Sequence, residues 1–375
     1  MTTHVFIVDK TTFKYHLEYM FAGTGAKGHD VDFNRATSSA LHHSTEKNLV
    51  GVMADCCRIR EGDLVFFYLQ EHGHEEGRFY GVFQVSGEPF LDRNDGHQFL
   101  FHSLNKNLTF RVALRPYEVY GKGVTEWQAL DEIKNISCPC QMLWSLIYRK
   151  LKGGRGNTMI TIYESERLFE LIRRENGYCQ LRPSKAYSFF NEEIIPTSIN
   201  VNYAGRKETL DILPRMAEKI RLGQSHEAHL QAFCAQQIAK GTDLDQALGI
   251  RRGSVEWIGN EVSCGVGMQR IDLMVSEAIS ESRRVIMPIE LKDEEVGVNI
   301  LHQLDRYIDW IEQYYIPNRI STIQPAVICK AGGLDGTVKA AFQAFNQKAQ
   351  NRYQPLIYVE YSLNGTNISF TRITY

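Results

Sequence analysis

The chain has no apolar run long enough to cross a membrane. Its longest, such as Leu64 to Leu69, stop far short of the roughly 18 residues a spanning helix needs. The opening, MTTHVFIVDK, lacks the basic head, apolar stretch and small-residue cleavage site of a secretory leader. The expectation is therefore an intracellular, cytoplasmic protein with no membrane partner. An excess of one charge is also missing: 42 Lys+Arg stand against 44 Asp+Glu, a formal net charge of −2. That balance excludes a general nucleic-acid coat protein and confines any DNA contact to a local patch. Cysteine is sparse, eight in 375 residues. Neither Cys56-Cys57 nor Cys138-Pro139-Cys140 has the spacing of a zinc knuckle, so reduced thiols packed as small hydrophobes are expected. No internal repeat or low-complexity tract is present. What remains is 43% hydrophobic and 23% charged, a globular balance that at roughly 100–200 residues per domain fits two domains.

The texture changes along the chain. Residues 1–182 read mainly as short strands: HVFIV, DLVFFYL, FYGVFQV, LTFRVALRPY and TMITIY. Aromatic-rich runs at close spacing, broken by Gly and Asp/Asn, predict a small barrel or strongly curved sheet. Helices are expected around Ser39–Asp55 and Gln141–Lys152. His72 and His74, in EHGHEEG, fall at a polar, Gly-punctuated hairpin tip and not in a metal site. Residues 183–206, with Pro183 and Pro196 and no helical period, read as a linker. Residues 207–375 then run helix (210–222), helix (227–240), three strands in VEWIGNEV, RIDLMV and VIMPIEL, a long helix (298–315), the strand PAVICK, a helix (335–348) and a hairpin turning at Asn364-Gly365. The order αβββαβ organises this half, and the fold class is a two-domain α+β / α/β protein.

One patch stands out by charge. Between Glu132 and Glu164 there is no acid, while Arg149, Lys150, Lys152 and Arg155 cluster with flexible glycines in YRKLKGGRGNT. This is a phosphate-contact surface or a solvated helix end, in equal measure.

The residues that carry chemistry lie in GMQRIDLMV and VIMPIELKDEE. Residues i and i+2 of a strand share a face, so Glu290 and Lys292 converge. If the two strands pair antiparallel, Asp272 approaches Glu290 across the ladder. Two carboxylates kept ionised side by side call for a cation between them, and Mg²⁺, an oxygen-seeking ion that keeps several waters, fits. Lys292 would then orient or deprotonate the attacking water, or stabilise charge on a phosphate. A second Glu-x-Lys, Glu132-Ile133-Lys134, sits in a polar, helix-like context with no apolar strand around it.

With these residues in place, the half from about Leu210 onward resembles the PD-(D/E)XK nuclease superfamily and, more narrowly, the catalytic domain of NucS-type endonucleases. The likeness rests on Asp272, then Pro288-Ile289-Glu290-Leu291-Lys292, with Gln303 and Tyr307 on one face of the next helix and Glu227 on the helix before the first strand. It implies Mg²⁺ (or Mn²⁺) held by Asp272, Glu290 and the Leu291 carbonyl, with Glu227 reaching the metal through water. Lys292 would serve the water nucleophile, and Gln303 and Tyr307 would lie at the scissile phosphate. Two departures bear on DNA approach: Arg270 stands where smaller residues are commoner, and the loop Ser276–Arg284 is long and charged. Arg270 joins the cationic patch as a candidate nucleic-acid contact. The first half, through EGDLVFFYL and GRFYGVFQVSGEPFLD, is similar to EVE and YTH modules of the PUA-like barrel class. Those modules read nucleic acid and stack bases on aromatic rings; Trp127, Trp144, Phe67, Tyr68 and Tyr80 are available for that.

The expected function is a Mg²⁺-dependent endonuclease of restriction type, acting on double-stranded DNA as a homodimer. A repair nuclease for mismatched or damaged duplex is the alternative, and a non-catalytic nucleic-acid-binding protein is the alternative of another class.

Overall fold

The computed structural model describes residues 1–25, 33, 42–131, 135–143, 145–146, 156–199, 201–264, 269–316, 320–349 and 351–375. The chain packs as two units, Met1–Asp32 with Ile59–Leu210 and Phe33–Arg58 with Asp211–Tyr375. Among the described residues no helix is long and apolar enough to cross a membrane.

In the first unit, β1 (Thr3–Val8), α1 (Lys10–Tyr19) and β2 (Phe21–Gly25) open the chain; the next helix, α2 (His43–Cys57), belongs to the second unit. Then follow β3 (Leu64–Leu69), β4 (Arg78–Val85), β5 (Phe90–Leu91), α3 (Phe101–Leu104), β6 (Leu108–Pro116), β7 (Val124–Thr125), α4 (Glu126–Asp131), β8 (Asn157–Ile160), α5 (Ile162–Glu175), β9 (Ala186–Phe190), β10 (Glu193–Thr197) and β11 (Glu208–Thr209). The main sheet runs β11-β5-β6-β4-β3-β1-β8, with β2 on the other edge of β6 and β7 beside β4. It is mixed, β1 lying parallel to β3 and antiparallel to β8. It is also curled, because its far strands come back together: a Cβ at Gly156, just before β8, would meet Thr24 Cγ2 of β2 at 2.9 Å.

Every residue of LVFFYL in β3 is buried, which a strand covered on both faces requires. Leu64, Phe66 and Tyr68 pack with Leu168, Leu171 and Ile172 of α5. On the opposite face Phe67 lies against Phe13, at 5.4 Å between ring centroids, and stacks on His16. The hairpin expected at His72 and His74 is present, with β3 and β4 antiparallel and a bridge between His72 and Glu75.

Three readings need correction here. Residues 183–206 are no linker: β9 and β10 pair as a hairpin whose Tyr187 and Ile194 are buried, and Phe189 packs on Phe13 at 4.9 Å. Apolar residues at alternating positions supply a core face there despite the prolines. The helix expected around Ser39–Asp55 exists, but packs in the other unit. Cys138 and Cys140 are joined as a disulfide: Cys138 is extended and Pro139 starts a tight turn, which folds one sulfur onto the other. The helix expected at Gln141–Lys152 falls largely outside the described residues.

The second unit begins with α2 and continues with α6 (Leu213–Arg221), α7 (Glu227–Gln237), α8 (Asp243–Leu248), β12 (Val255–Ser263), β13 (Arg270–Ala278), β14 (Arg284–Leu291), α9 (Ile300–Trp310), β15 (Thr322–Ile323), β16 (Ala326–Lys330), α10 (Gly336–Gln347), β17 (Ile357–Asn364) and β18 (Asn367–Arg372). Its sheet runs β12-β13-β14-β16-β17-β18 with β15 beside β14. The first three strands are antiparallel, β14, β16 and β17 are parallel, and β18 returns antiparallel. Thus α7, β12, β13, β14, α9 and β16 follow in the expected order. The turn between β13 and β14 is shorter than expected: Ala278 pairs with Arg284, and Ile279 donates to the Arg283 carbonyl at 2.8 Å. Four ladder residues, Ser276, Glu277, Ala278 and Arg284, lie in the stretch that its charges made look like loop.

Helix α2 is held by charge as well as packing. Its Glu46, 2% exposed, accepts two hydrogen bonds from Arg215 (2.7 and 3.0 Å), meets His229 Nε2 at 2.9 Å and has Lys219 Nζ at 3.6 Å. At its other end the buried Arg58 guanidinium donates to Asp55 and to Asn260 of β12, both at 2.7 Å.

Candidate active site

The register of β13 against β14 pairs Leu273 with Ile289, so one step outward Asp272 lies opposite Glu290. There the ladder gives way to a side chain, and the Leu291 N–H donates to Asp272 Oδ2 at 2.8 Å. Gln231 of α7 donates to the Asp272 carbonyl at 2.9 Å. Glu290 is 2% exposed. Lys292 Nζ donates to its Oε1 at 2.9 Å, the direct result of the two-residue period of the strand. Tyr307, from α9, has its hydroxyl 2.9 Å from Glu290 Oε2 and also 2.9 Å from the Arg270 carbonyl. Glu227, in the first turn of α7, stands with Oε2 3.6 Å from Lys292 Nζ.

Electrostatics sort these groups by role. Burial, then the Glu290 carboxylate, push the Asp272 carboxyl well above its usual range, against the Leu291 N–H. Burial likewise raises Glu227. Burial opposes the charged form of Lys292, but Glu290 and Glu227 outweigh it and raise its pKa. With those carboxylates unneutralised the amine is held as an ammonium, a state suited to orient water or steady phosphate charge. Burial and Glu290 push the Tyr307 phenol far up, so it stays a donor.

Two neighbouring acids repel unless a cation lies between them, and the upward push of Glu290 on Asp272 expresses that repulsion. The donor set is two carboxylates and a backbone carbonyl, which suits Mg²⁺ with several waters retained. Among the described residues no group of three His, Cys, Asp or Glu side chains gathers as a metal cluster.

Asp272, Glu290, Leu291, Lys292, Glu227 and Tyr307 thus come together. Gln303 is half-buried one turn before Tyr307. Arg270 pairs with Glu261 at 2.8 Å, which offsets its charge as a phosphate contact. Arg149, Lys150, Lys152 and Arg155 lie outside the described residues, as does Trp144. Phe67, Tyr68 and Tyr80 are fully buried, Tyr68 donating to Glu126 at 2.5 Å and Tyr80 to the Glu192 carbonyl at 2.9 Å. They build the core and cannot stack a base, whereas Trp127 is exposed. Sequence reasoning missed Gln231, whose one signal is its place four residues after Glu227, on the same helix face. It also missed Asp293, which follows Lys292 directly.

No protein-family model matches the chain, and no curated protein matches it. Among solved structures, a hypothetical protein from Leishmania major aligns with a TM-score of 0.30 and 9% identity over 47% of this chain and 96% of that one. A Pseudomonas putida protein aligns with a TM-score of 0.27 and 11% identity over 45% and 98%. The human THYN1 protein, solved in complex with 5-methylcytosine-containing DNA, aligns with a TM-score of 0.26 and 11% identity over 46% and 97%. Similarity this low carries nothing about the activity of this chain.

Proposed function

We propose that the chain is a divalent-metal-dependent DNA endonuclease, with a PD-(D/E)XK-like centre in the second unit and a PUA/EVE-like nucleic-acid-reading module in the first. The observation that carries the reading is the buried Glu290, opposite Asp272 and 2.9 Å from the Lys292 ammonium. A structural ion pair needs one acid and one base; a second acid facing the first is a liability unless the site binds a cation. Asp272, Glu290 and the Leu291 carbonyl would hold Mg²⁺, with Mn²⁺ as a substitute. When bound, the ion would supply Lewis-acid stabilisation to the phosphoryl oxygen and acidify a coordinated water. Lys292 holds Glu290 in place and offers its remaining protons to the nucleophile or the phosphate. Tyr307 fixes the other Glu290 oxygen.

The curled sheet of the first unit, flanked by helices, supports the module reading together with the strand motifs around Leu64 to Val85. Restriction-type cutting of both strands by one centre per chain calls for a homodimer. The test is a cleavage assay in Mg²⁺ and in Mn²⁺ on unmodified, cytosine-methylated, adenine-methylated and mismatched duplexes, with Glu290→Ala beside wild type. Metal-dependent cutting lost in the variant supports the reading, and the preferred substrate separates restriction from repair. Duplex binding indifferent to Mg²⁺, with no substrate cut by either protein, would replace it with a binding-only protein.

A further inference from the structure

Helix α7 carries Glu227 at its first position, yet it has no cap of its own. The residue before the helix, His226, has its ring engaged elsewhere: Nδ1 is 2.9 Å from the Gln224 carbonyl and Nε2 is 2.7 Å from the Tyr361 hydroxyl. A carbonyl only accepts, so Nδ1 carries the proton and Nε2 receives the Tyr361 hydroxyl. The cap comes from a different element. Asp293 Oδ2 accepts the His226 N–H at 2.6 Å, the Glu227 N–H at 3.2 Å and the Ser225 hydroxyl at 2.7 Å. Helix N-termini leave such N–H groups without intrahelical partners, and a carboxylate there also meets the positive end of the helix dipole.

Asp293 directly follows Lys292, so one oxygen atom joins the segment leaving β14, where Lys292 follows the strand that bears Glu290, to the start of α7, bearing Glu227. The 3.6 Å approach of Glu227 to Lys292 is made across that junction. We propose that Asp293 is a positioning residue of the nuclease site, setting the N-terminus of α7 and through it the Glu227 carboxylate. The inference rests on the nuclease reading above. Asp293 lines an open cleft of about 650 Å³ with Gln224, Ser225, His226 and Lys330, so shortening it leaves no cavity in the core.

The test uses the full chain as wild type, Asp293→Ala, Asp293→Asn and Glu290→Ala. Cleavage is followed against Mg²⁺ concentration, Mn²⁺ binding by calorimetry, duplex binding in Ca²⁺, and Tm. Asp293→Ala should cut roughly 10-fold more slowly and need more Mg²⁺, the low end of what losing a metal ligand's own partner costs, because Asp293 acts through Glu227. Its duplex affinity and Tm should stay near wild type. Asp293→Asn should recover most of the rate, because an amide oxygen accepts the same N–H groups. Wild-type cutting and Mn²⁺ affinity in Asp293→Ala, or an Asn variant as slow as the Ala variant, would overturn the proposal. A loss matched by a collapse in Tm would overturn it too, as a purely structural effect. Glu290→Ala separates the two failures. If it is inactive while Asp293→Ala cuts normally, only the positioning role falls. If Glu290→Ala cuts like wild type, or wild type cuts nothing, the nuclease reading falls and this inference with it.

Discussion

The two units bury different things. The interior of the first is built from rings: Phe6, Phe13, Phe66, Phe67, Tyr68, Phe79, Tyr80 and Phe83 are all within 2% of full burial. Its central buried ion pair, Arg111 with Asp92 at 3.1 Å, is closed off by Tyr203, whose hydroxyl donates to Asp92 at 2.9 Å. The second unit buries charge on a larger scale, and in two manners. Glu46 is surrounded by Arg215, His229 and Lys219, so its negative charge is over-answered. Glu290 has a single cation at its side and an acid across the ladder. The contrast separates two kinds of buried acid: one matched by bases fastens the fold, and one facing another acid is where the proposed cation would enter.

The sharpest break in that comparison is Glu290→Ala. Cutting should fall by about 10²–10³ or more, while duplex binding persists. Glu46→Ala should instead act on stability, because it takes the carboxylate partner from the buried His229 and Lys219 and leaves Arg215 with Glu218 alone. A cost of about 3–5 kcal/mol is expected, visible as faster hydrogen exchange in α7 while the amides of β3 stay protected. Phe67→Ala should reverse the pattern, destabilising the first unit by a comparable ~3–5 kcal/mol through the lost ring and the cavity it leaves, with α7 protected. The smallest effect is on pH. Burial, followed by the nearby Arg111 charge, holds the His16 pKa down at about 3 from the ordinary 6.5. The unfolded chain therefore binds a proton that the folded one refuses, so stability is full above 6.5 and declines as pH falls toward 3. At pH 5 the loss from this group is ~2 kcal/mol. His16→Phe should flatten that decline in urea titrations of the first unit. An unchanged slope would mean that His16 charges without unfolding.

Much of the second half was readable because its signals are local. The two-residue period placed Glu290 and Lys292 together, and antiparallel pairing brought Asp272 opposite. Asn364-Gly365 announced the last hairpin. What stayed hidden has two causes. One is tertiary override of composition: KTTFKYHLEY in α1 is rich in Thr and aromatic residues that favour strands, and only the reciprocal cap of Asp9 and Thr12 marked its start. Helix α5 was likewise read as strand up to Tyr163, although Thr161 and Glu164 form a capping box. The other cause is distance. Nothing near Glu46 says that its partners are Arg215 and His229, and nothing near Asp293 says that it caps a helix 66 residues upstream.

The allegiance of α2 also bears on how the chain is born. Glu46 leaves the ribosome 169 residues ahead of Arg215, an interval on the order of ten to thirty seconds at ordinary elongation rates. During that time β3 and β6 emerge and can pair with β1 and β2, already made, while the helix threaded between β2 and β3 has no surface to settle on. It must wait as a solvated loop, its acid exposed to water, until α6 and α7 emerge. A nascent-chain arrest series should find the barrel strands protease-resistant well before α2. For the same reason neither unit is one continuous stretch of chain, and a fragment cut at residue 207 would be born without one of its own helices.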